Sequence, residues 1–473
     1  MNDHNKLRPS MGGSELFNLD LIKKYDTAGP RYTSYPTAPM FHDGINARVY
    51  TDTLRQSASS DSPLSLYIHI PFCNTVCYYC GCNKIVTNKY ERAAPYLELL
   101  LKEIDLVADS LGRDCERKVT QLHFGGGTPT FLNDVQMKRL TDHLHQRFHF
   151  VDDAAGEYGI EMDPRECGEN TVRVLRECGF NRMSMGVQDF DPDVQKAVNR
   201  IQSKEETLRV LNEARALGFT SMNIDLMYGL PLQSVDSFTR TLETIVAFSP
   251  DRIALFNYAH LPRMFMPQRR IDEAQIPSPQ EKLNILELSI GTLLDAGYVF
   301  VGMDHFAKPN DEMARAQAEG KLYRNFQGYS THADCDLIGM GLTSIGFVGG
   351  NFFQNAKEMD AYASATEAAK FSVFRGYQLS DEDHLRRHVI MRLMCDFSLD
   401  YPSIEALFPI NFTDHFSDAL VDLAAMQDDG LLVLDVDGMR VLTAGRLLIR
   451  NIAMAFDEHI RKKSSTMKFS KII

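Results

Sequence analysis

The sequence has no long apolar run and no excess of positive charge. No segment approaches the ~18 consecutive apolar residues needed to span a membrane. The chain has 50 Lys and Arg residues against 63 Asp and Glu residues, a formal net charge of −13. We therefore expect no membrane span and no general affinity for nucleic acid, which usually requires a basic surface. No apolar segment follows the polar residues 1–6, so no signal peptide is expected.

The chain also lacks a plausible disulfide framework. It has nine cysteines, and four of them, Cys73, Cys77, Cys80 and Cys82, crowd into one decapeptide. An odd number with this crowding makes a poor set of disulfides and a good metal or redox site in a reducing compartment. We therefore expect a cytoplasmic protein, and we expect it to act as a monomer.

The spacing C-x3-C-x2-C of Cys73, Cys77 and Cys80 lets three thiolates on one short loop each bind a different iron of a cubane cluster. A cubane is normally held by four cysteines, so three would leave one iron open to a substrate. The alternative is a structural zinc ion bound by all four thiols, including Cys82. Zinc sites usually join two separated pairs of ligands, so the single decapeptide favours the cluster.

Short apolar runs alternate with amphipathic, helix-like segments between about residues 64 and 306. Several helices should end at a glycine just before the next strand, as at Gly179, Gly218 and Gly297. This alternation predicts an α/β fold with a parallel sheet and helical crossovers. The predicted strands are 64–70, 120–124, 158–162, 182–188, 221–227, 252–258 and 298–303.

Polar motifs follow the ends of the first five predicted strands. The cysteine loop follows the first strand and the Gly125-Gly126-Gly127 run follows the second. Glu161, Gln188 and Asp225 close the third, fourth and fifth. In parallel barrels the chemistry gathers at these carboxyl ends, so we expect one rim to hold the site.

Each motif also has a structural explanation when it stands alone. The glycines would let backbone N–H groups approach a ligand, but they could equally form a tight turn, and no P-loop sequence follows. Glu161 could end a strand in solvent, and Gln188 could bond to loop backbone. Asp225 needs a donor, which could be a neighbouring side chain or a ligand hydroxyl. Their common position beside the cysteine loop favours a ligand site.

The two ends of the chain differ from the middle. Residues 29–37 contain two prolines and several hydroxylated side chains, which favour extended backbone.

After about residue 365 we predict helices at 385–394 and 416–426, a hairpin at 431–442 with an Asp-Gly turn, and a last helix at 444–460. This pattern indicates a small, mainly helical, winged-helix-like domain, whose mixed charge suits a packing lid. The predicted domains are 1–60, 61–360 and 361–473.

The cysteine spacing after the Tyr-Ile-His-Ile-Pro-Phe strand, together with the Gly-Gly-Gly-Thr-Pro-Thr run, resembles the radical S-adenosylmethionine (SAM) enzymes. Further segments resemble one family among them, the oxygen-independent coproporphyrinogen III oxidases. The resemblance covers nearly the whole chain from about residue 20. It extends to the C-terminal residues 469–473, and the segments that carry it are 30–36, 81–87, 161–165, 186–190, 257–260 and 325–329.

This resemblance implies a partial (β/α) TIM-like barrel with an N-terminal extension that contacts the active site. It implies a 4Fe–4S cluster on Cys73, Cys77 and Cys80, one SAM on the open iron and a second SAM nearby. The first SAM site would include Tyr67, Gly126, Glu161 and Ile345, and the second Tyr79, Gly127, Thr128, Gln188, Arg200, Asp225 and Ala259. The residues expected to act in catalysis are Tyr67, Cys82, Glu161 and Gln327, and Cys82 is not expected to bind iron.

The implied activity is the anaerobic oxidative decarboxylation of two propionates of coproporphyrinogen III to vinyl groups. The product would be protoporphyrinogen IX, an intermediate of haem biosynthesis, and the oxidant a 5′-deoxyadenosyl radical made from SAM. A reducing donor such as flavodoxin is implied as partner. We expect Arg31 and Lys84 to bind substrate propionates by charge-assisted hydrogen bonds. The N-terminal segment and the C-terminal domain would exclude water and oxygen as a lid.

Two other functions are compatible with the cysteine motif. A related radical-SAM-like family carries haem to client proteins without oxidase activity, but it typically lacks the C-x-C end and the long N-terminal segment. Cys82 and residues 31–35 therefore favour the enzyme. A related radical SAM methyltransferase is the third possibility, and it would transfer a methyl group and release no carbon dioxide.

Overall fold

The computed structural model describes residues 13–112, 115–333 and 335–462. The N-terminal residues 1–6 and the C-terminal segment 469–473, both used above, lie outside the described residues. Within the described part of the chain, no helix is long and apolar enough to cross a membrane.

A mainly parallel sheet forms the centre of the protein. Six strands lie side by side in chain order and all run parallel. Predicted and observed strands agree apart from small shifts at their ends, so the α/β fold class is confirmed. The six strands are β1 (Leu64–Ile70), β2 (Lys118–Gly126), β3 (Glu157–Met162), β4 (Arg182–Gln188), β5 (Ser221–Tyr228) and β6 (Arg252–Asn257).

The seventh predicted strand, β7 (Val299–Gly302), does not lie next to β6. The chain turns back at Gly302 and Met303, whose φ angles are 152° and 53°. The returning strand β8 (His305–Ala307) inserts between β7 and β6 and is antiparallel to both. This turn was not expected from the sequence.

Four more strands extend the other edge of the sheet and were not predicted. The first, β9 (Asp336–Met340), is parallel to β1, and the others follow as antiparallel neighbours: β10 (Ile345–Val348), β11 (Asn351–Asn355) and β12 (Val373–Gln378). β11 is buried at every position although three of its residues are polar, so it shows no apolar alternation. Among the described residues the strand order is open, from β7 to β12, and the sheet continues past residue 360.

Helices connect the strands and cover the sheet. The helix Ala93–Leu111 buries Leu97, Leu100 and Ile104. Gly179, Gly218 and Gly297 have φ angles of 94°, 80° and 86°, the left-handed conformation that ends a helix. The other helices of this region are Asp134–Arg147, Thr171–Glu177, Pro192–Ala197, Lys204–Ala216, Val235–Phe248, Pro279–Asp295, Glu312–Ala318 and Met359–Glu367.

The N-terminal segment packs tightly against the rest of the chain. Between the helices Leu19–Tyr25 and Ala47–Ser57, Tyr32 and Tyr35 are only 1% and 0% exposed. The Tyr32 hydroxyl donates to the Asp457 carboxylate at 2.9 Å. This contact ties the two ends of the described chain together.

The C-terminal region has the predicted winged-helix character. Three short strands, Ser398–Asp400, Leu432–Asp435 and Gly438–Val441, form one antiparallel sheet beside the helices. The predicted position of the Asp-Gly turn was wrong by one residue, because Gly438 already lies in a strand. A Cβ on Gly438 would come within 2.6 Å of the Leu399 carbonyl oxygen. The helices are Asp381–Asp396, Tyr401–Leu407, Phe412–His415 and Ser417–Asp428.

The single predicted helix at 444–460 was also wrong. The chain forms two short helices, Ile449–Met454 and Glu458–Lys462, after a 3₁₀ turn at Thr443–Gly445. The Asp457 carboxylate accepts a hydrogen bond from the Ile460 backbone N–H at 3.1 Å. Asp457 therefore starts a new helix where a continuous one was expected.

Candidate active site

The cysteine loop is held in place by the glycine run at the end of β2. The Gly127 N–H donates to the Ile70 carbonyl at 2.8 Å, and the Thr128 N–H to the Phe72 carbonyl at 2.7 Å. A Cβ on Gly127 would lie 2.6 Å from the Phe72 carbonyl oxygen, so only glycine allows this approach. These N–H groups support the cysteine loop, which is the turn role that the sequence left open beside contact with a ligand.

Each of the three predicted cluster thiols has a hydrogen-bond donor near it. Thr128 Oγ1 lies 3.6 Å from Cys73 Sγ, and Arg200 Nη1 lies 3.6 Å from Cys77 Sγ. The backbone N–H of Cys82 points at Cys80 Sγ from 3.4 Å. Such donors can bond to a metal-bound thiolate sulfur, which accepts hydrogen bonds.

The cysteines do not form a site for one metal ion. In the described ranges, no three His, Cys, Asp or Glu side chains converge on a point where a single ion could bind. Cys73, Cys77 and Cys80 instead line one cleft of about 820 Å³, a volume that includes its open mouth. Pockets for small molecules span roughly 300–1,000 Å³, so the cleft can take a group larger than an ion.

Glu161, at the end of β3, lies at the centre of the site. Its carboxylate accepts a hydrogen bond from the Gly126 N–H at 3.2 Å and lies 3.4 Å from His123 Nε2. Burial alone would raise the pKa of Glu161, but the hydrogen bonds from His123 and Gly126 hold it below its ordinary value. The site therefore presents a negative charge at neutral pH, on a side chain that is 46% exposed to the clefts.

Asp225, on β5, differs from Glu161 in that its pKa is raised and not lowered. Burial, and next the negative charge of Glu161, raise the pKa of Asp225 to about 7. Its carboxylate accepts a hydrogen bond from Asn223 Nδ2 at 2.7 Å. Two neighbouring carboxyl groups thus differ in charge near neutral pH.

Gln188, at the end of β4, has a polar atom with no partner. It follows an irregularity in the β4–β5 pairing and has a φ of 70°. Within the part of the chain that the structure describes, its Oε1 is buried without a hydrogen bond, and so is Arg200 Nε. Arg200 otherwise donates to the Asp163 carboxylate at 3.0 Å and to the Gly186 carbonyl. Buried atoms left without partners in this way are expected where a ligand supplies them.

Two clefts meet at Gly126 and Glu161 and bring most of the predicted residues together. One cleft contains the three cluster cysteines and Cys82 with Tyr79, Gly126, Gly127, Thr128, Glu161, Gln188, Arg200 and Asp225. The other contains Tyr67, Cys82, Gly126, Glu161, Gln327 and Ile345.

Ala259 lines neither cleft. Its carbonyl accepts a hydrogen bond from Gln268 Nε2 at 3.2 Å, and the same nitrogen donates to the Tyr79 carbonyl at 2.9 Å. Ala259 is therefore joined to the cysteine loop through one side chain.

A third cavity lies against the central strands and reaches the same carboxyl groups. Its walls include Glu161, Asp225, Phe256, His305 and Gln327. It shares Glu161 and Gln327 with the Tyr67 cleft. A large substrate could therefore approach the cysteine loop through this third cavity.

The two predicted substrate residues lie on different sides of this space. Arg31 forms an ion pair with Asp304, and its guanidinium lies 5.8 Å from the centre of the Phe256 ring. Lys84 lines the cysteine cleft, where its Nζ donates to the carbonyls of Cys80 and Cys82 at 3.3 and 3.5 Å.

Three residues of the site, His69, His123 and Arg165, were not identified from the sequence. The Tyr67 hydroxyl lies 3.1 Å from His69 Nδ1, the Tyr67 ring stacks on His123, and Arg165 Nη2 lies 3.8 Å from Cys77 Sγ. Burial lowers the pKa of His69 to about 4, so its imidazole is neutral. The signal for His69 was a polar residue inside the apolar run of β1.

Comparison with known proteins agrees with this geometry. The model of the radical SAM superfamily matches residues 67–245, and that of the HemN C-terminal domain matches residues 379–448. The oxygen-independent coproporphyrinogen III oxidase of Pseudomonas aeruginosa is 48% identical over 457 residues, which cover 97% of this chain and 99% of that protein. The chain belongs to the oxygen-independent coproporphyrinogen III oxidase family.

Two relatives from Escherichia coli support the assignment. The oxidase of strain K12 is 48% identical over 97% of this chain and 98% of its own length. The solved structure of coproporphyrinogen III oxidase (HemN), described as a radical SAM enzyme, superposes with a TM-score of 0.88. That match has 47% identity and covers 94% of this chain and 99% of the other.

The residues of the two clefts fit the groups that radical SAM proteins use, an iron–sulfur cluster and SAM. Three thiols with nearby donors suit a cluster with one open iron. The ionised Glu161 suits the positive charge of SAM. Gln188 Oε1 and Arg200 Nε have no partner among the described residues and could bind its polar groups.

Proposed function

We propose that this chain oxidatively decarboxylates two propionates of coproporphyrinogen III to vinyl groups without oxygen, and so makes protoporphyrinogen IX for haem biosynthesis. The observation that carries the proposal is the single cleft that holds Cys73, Cys77 and Cys80 and meets the third cavity at Glu161. Relatives at 48% identity bear the name of this oxidase.

The protein's part in the reaction is to bind, orient and shield. When bound, the cluster and SAM supply a 5′-deoxyadenosyl radical that takes a β-hydrogen from a propionate, after which carbon dioxide and one electron leave and a vinyl group remains. Cys73, Cys77 and Cys80 hold a 4Fe–4S cluster. One SAM is placed by Tyr67, Gly126, Glu161 and Ile345, and a second by Tyr79, Gly127, Thr128, Gln188, Arg200, Asp225 and Ala259.

Four residues are proposed to act directly on the reacting groups. Glu161 keeps a negative charge beside the sulfonium, and Tyr67 is fixed by its contacts with two histidines. Gln327 faces both the Tyr67 cleft and the third cavity, and its Nε2 has no partner among the described residues. Cys82 stands in the Tyr67 cleft and binds no iron.

Substrate propionates are proposed to bind Arg31 and Lys84. Arg31 belongs to the proposed N-terminal extension (1–60), and we propose that this extension and a C-terminal lid domain (361–473) shield the active site of the barrel domain (61–360). The Arg31–Asp304 ion pair presets the guanidinium near Phe256. We further propose that the protein works as a cytoplasmic monomer and receives its electron from a reduced carrier such as flavodoxin.

The decisive experiment is an anaerobic assay of the reconstituted protein. With reductant, SAM and coproporphyrinogen III, we expect protoporphyrinogen IX, carbon dioxide and 5′-deoxyadenosine. C80A should lose product formation down to background, because one iron loses its ligand. C115A is the matched control: Cys115 lies at the other end of β2 and should be dispensable.

Other outcomes would identify the alternatives. Stoichiometric haem binding without 5′-deoxyadenosine would indicate a haem carrier, and methyl transfer without carbon dioxide release would indicate a methyltransferase. Zinc in place of iron and sulfide, in protein purified without air, would end the proposal.

The role of Arg31 has its own test. R31A should raise the KM for coproporphyrinogen III by about tenfold, the effect of one charge-assisted hydrogen bond, and should leave the affinity for SAM unchanged. An unchanged KM would show that Arg31 does not bind the substrate.

A further inference from the structure

A basic and apolar surface loop lies against the outside of the cysteine loop. We call residues 261–270, Leu-Pro-Arg-Met-Phe-Met-Pro-Gln-Arg-Arg, the arginine–methionine loop. Met264 and Met266 are 68% and 70% exposed. The arginines Arg263, Arg269 and Arg270 are exposed as well.

This loop is packed directly onto the cluster-binding segment. Gln268 Nε2 donates to the Tyr79 carbonyl at 2.9 Å, one residue before Cys80. The Phe265 ring covers Gly81, where an added Cβ would come within 3.0 Å of the ring. The arginine–methionine loop is therefore an outer wall of the cysteine loop.

The positive charge of this loop is not neutralised locally. Among the described residues, Arg263, Arg269 and Arg270 form no salt bridge, and the Arg270 guanidinium instead lies 5.3 Å from the Tyr78 ring centre. The acidic residues that follow are engaged elsewhere: Asp272 caps a turn through the Ala274 N–H, and Glu273 lies 3.2 Å from His260 Nε2. The loop therefore presents three exposed arginines without salt bridges to any described residue, in a chain with a net charge of −13.

The combination of exposed methionine and arginine is typical of a protein interface. Both residue types are enriched in interfaces, and methionine adapts its shape to flat apolar groups. A basic patch on an acidic protein favours encounter with an acidic partner at this one place.

We propose that the arginine–methionine loop is the docking surface for an acidic flavodoxin that reduces the cluster. This inference rests on the proposed function, which requires one electron from outside the protein. One electron leaves the reduced flavin of the partner and enters the oxidised cluster, and no bond forms or breaks. The loop offers the short path, because one hydrogen bond joins it to the residue next to Cys80.

The test compares two electron sources with the same reconstituted enzyme. The double variant R263E/R269E spares Arg270, which contacts Tyr78. We expect its affinity for purified flavodoxin, measured by calorimetry, to fall by about tenfold or more at low salt. The flavodoxin-driven rate of 5′-deoxyadenosine formation should fall in parallel, whereas the dithionite-driven rate should stay unchanged.

Two further double variants test whether the effect is specific to this loop and whether its methionines contribute to binding. R48E/R440E changes two exposed arginines on other surfaces and should leave flavodoxin affinity unchanged. M264Q/M266Q should weaken binding while the salt dependence of the affinity stays the same, because no charge is altered.

The outcomes separate this inference from the proposed function. Unchanged flavodoxin affinity in R263E/R269E would overturn the docking surface, and so would an equal loss in R48E/R440E. Dependence on the loop with reduced ferredoxin alone would overturn the choice of partner. Absence of 5′-deoxyadenosine from the wild-type protein with dithionite would instead overturn the proposed function.

Discussion

The amino and carboxyl ends of the same strands differ in whether their polar side chains have hydrogen-bond partners. Arg182 and Arg252 begin β4 and β6, and both bind the carboxylate of Glu312, at 2.6 and 2.7 Å. Arg252 also binds the nearly buried Asp311 at 2.9 Å. Although burial opposes it, Arg182 and Arg252 hold the pKa of Glu312 at about 2. The amino ends of the strands thus form a network of mutually bonded charges.

At the carboxyl ends, polar atoms are left without partners. Gln188 ends β4 and Asn257 ends β6, and the side-chain oxygen of each is buried without a hydrogen bond in the described ranges. A buried polar atom without a partner costs about 1–3 kcal/mol. The comparison indicates that one end of the strands is built for stability and the other gives up stability to bind a ligand.

Removing a charge from the amino-end network should have the largest effect on stability. R252M leaves the buried Asp311 carboxylate without its cation, and we expect the free energy of unfolding to fall by about 3–5 kcal/mol. Urea denaturation would measure this change. SAM affinity per folded molecule should not change, because Arg252 lies away from the cysteine cleft.

The control for this prediction is an exposed ion pair. R240M breaks the pair between Arg240 and Asp191, whose distance is 3.1 Å and whose arginine side chain is 62% exposed. Its effect should stay below about 1 kcal/mol. Equal effects of R252M and R240M would contradict the structural role given to the amino ends.

Because of Asp225, the free energy of unfolding should depend on pH. Because its pKa is raised to about 7 in the folded protein, against an ordinary value near 4, the folded state keeps a proton that the unfolded state loses. The contribution of Asp225 to stability without SAM should therefore be fully present below about pH 4 and should fall by about 2–4 kcal/mol as the pH rises through about 7.

The isosteric variant D225N separates this effect from others. It cannot ionise, so the fall that Asp225 causes between about pH 4 and pH 7 should be absent, and D225N should be more stable than the wild type near pH 8. Parallel pH profiles for the two proteins would show that Asp225 does not titrate as described.

Much of the carboxyl-end site could be predicted from local sequence. The cysteine spacing, the glycine run and the strand-end positions of Glu161, Gln188 and Asp225 are local patterns, and the structure brings them to one pair of clefts. Parallel strands make this possible, because each motif needs only the end of its own strand to reach the common rim.

What could not be predicted depends on contacts between distant residues. Tyr32 and Asp457 meet across nearly the whole chain, so neither the burial of residues 29–37 nor the break in the last helix has a local signal. β11 lacks alternation because both of its faces are buried. Arg165 looked like a loop residue, and only the fold places it beside Cys77.

The smallest effect on stability is expected at Gln188, where the comparison can be tested most finely. Q188M keeps the length of the side chain and removes an amide whose buried Oε1 has no partner among the described residues, so stability without SAM should rise by about 1–3 kcal/mol. SAM affinity should nevertheless fall by about three- to tenfold, the equivalent of one hydrogen bond. Calorimetric titration of SAM and urea denaturation of the same samples would measure both. A large loss of stability with unchanged SAM affinity would mean that Gln188 serves the fold, and the two ends of the strands would then not differ in the way proposed.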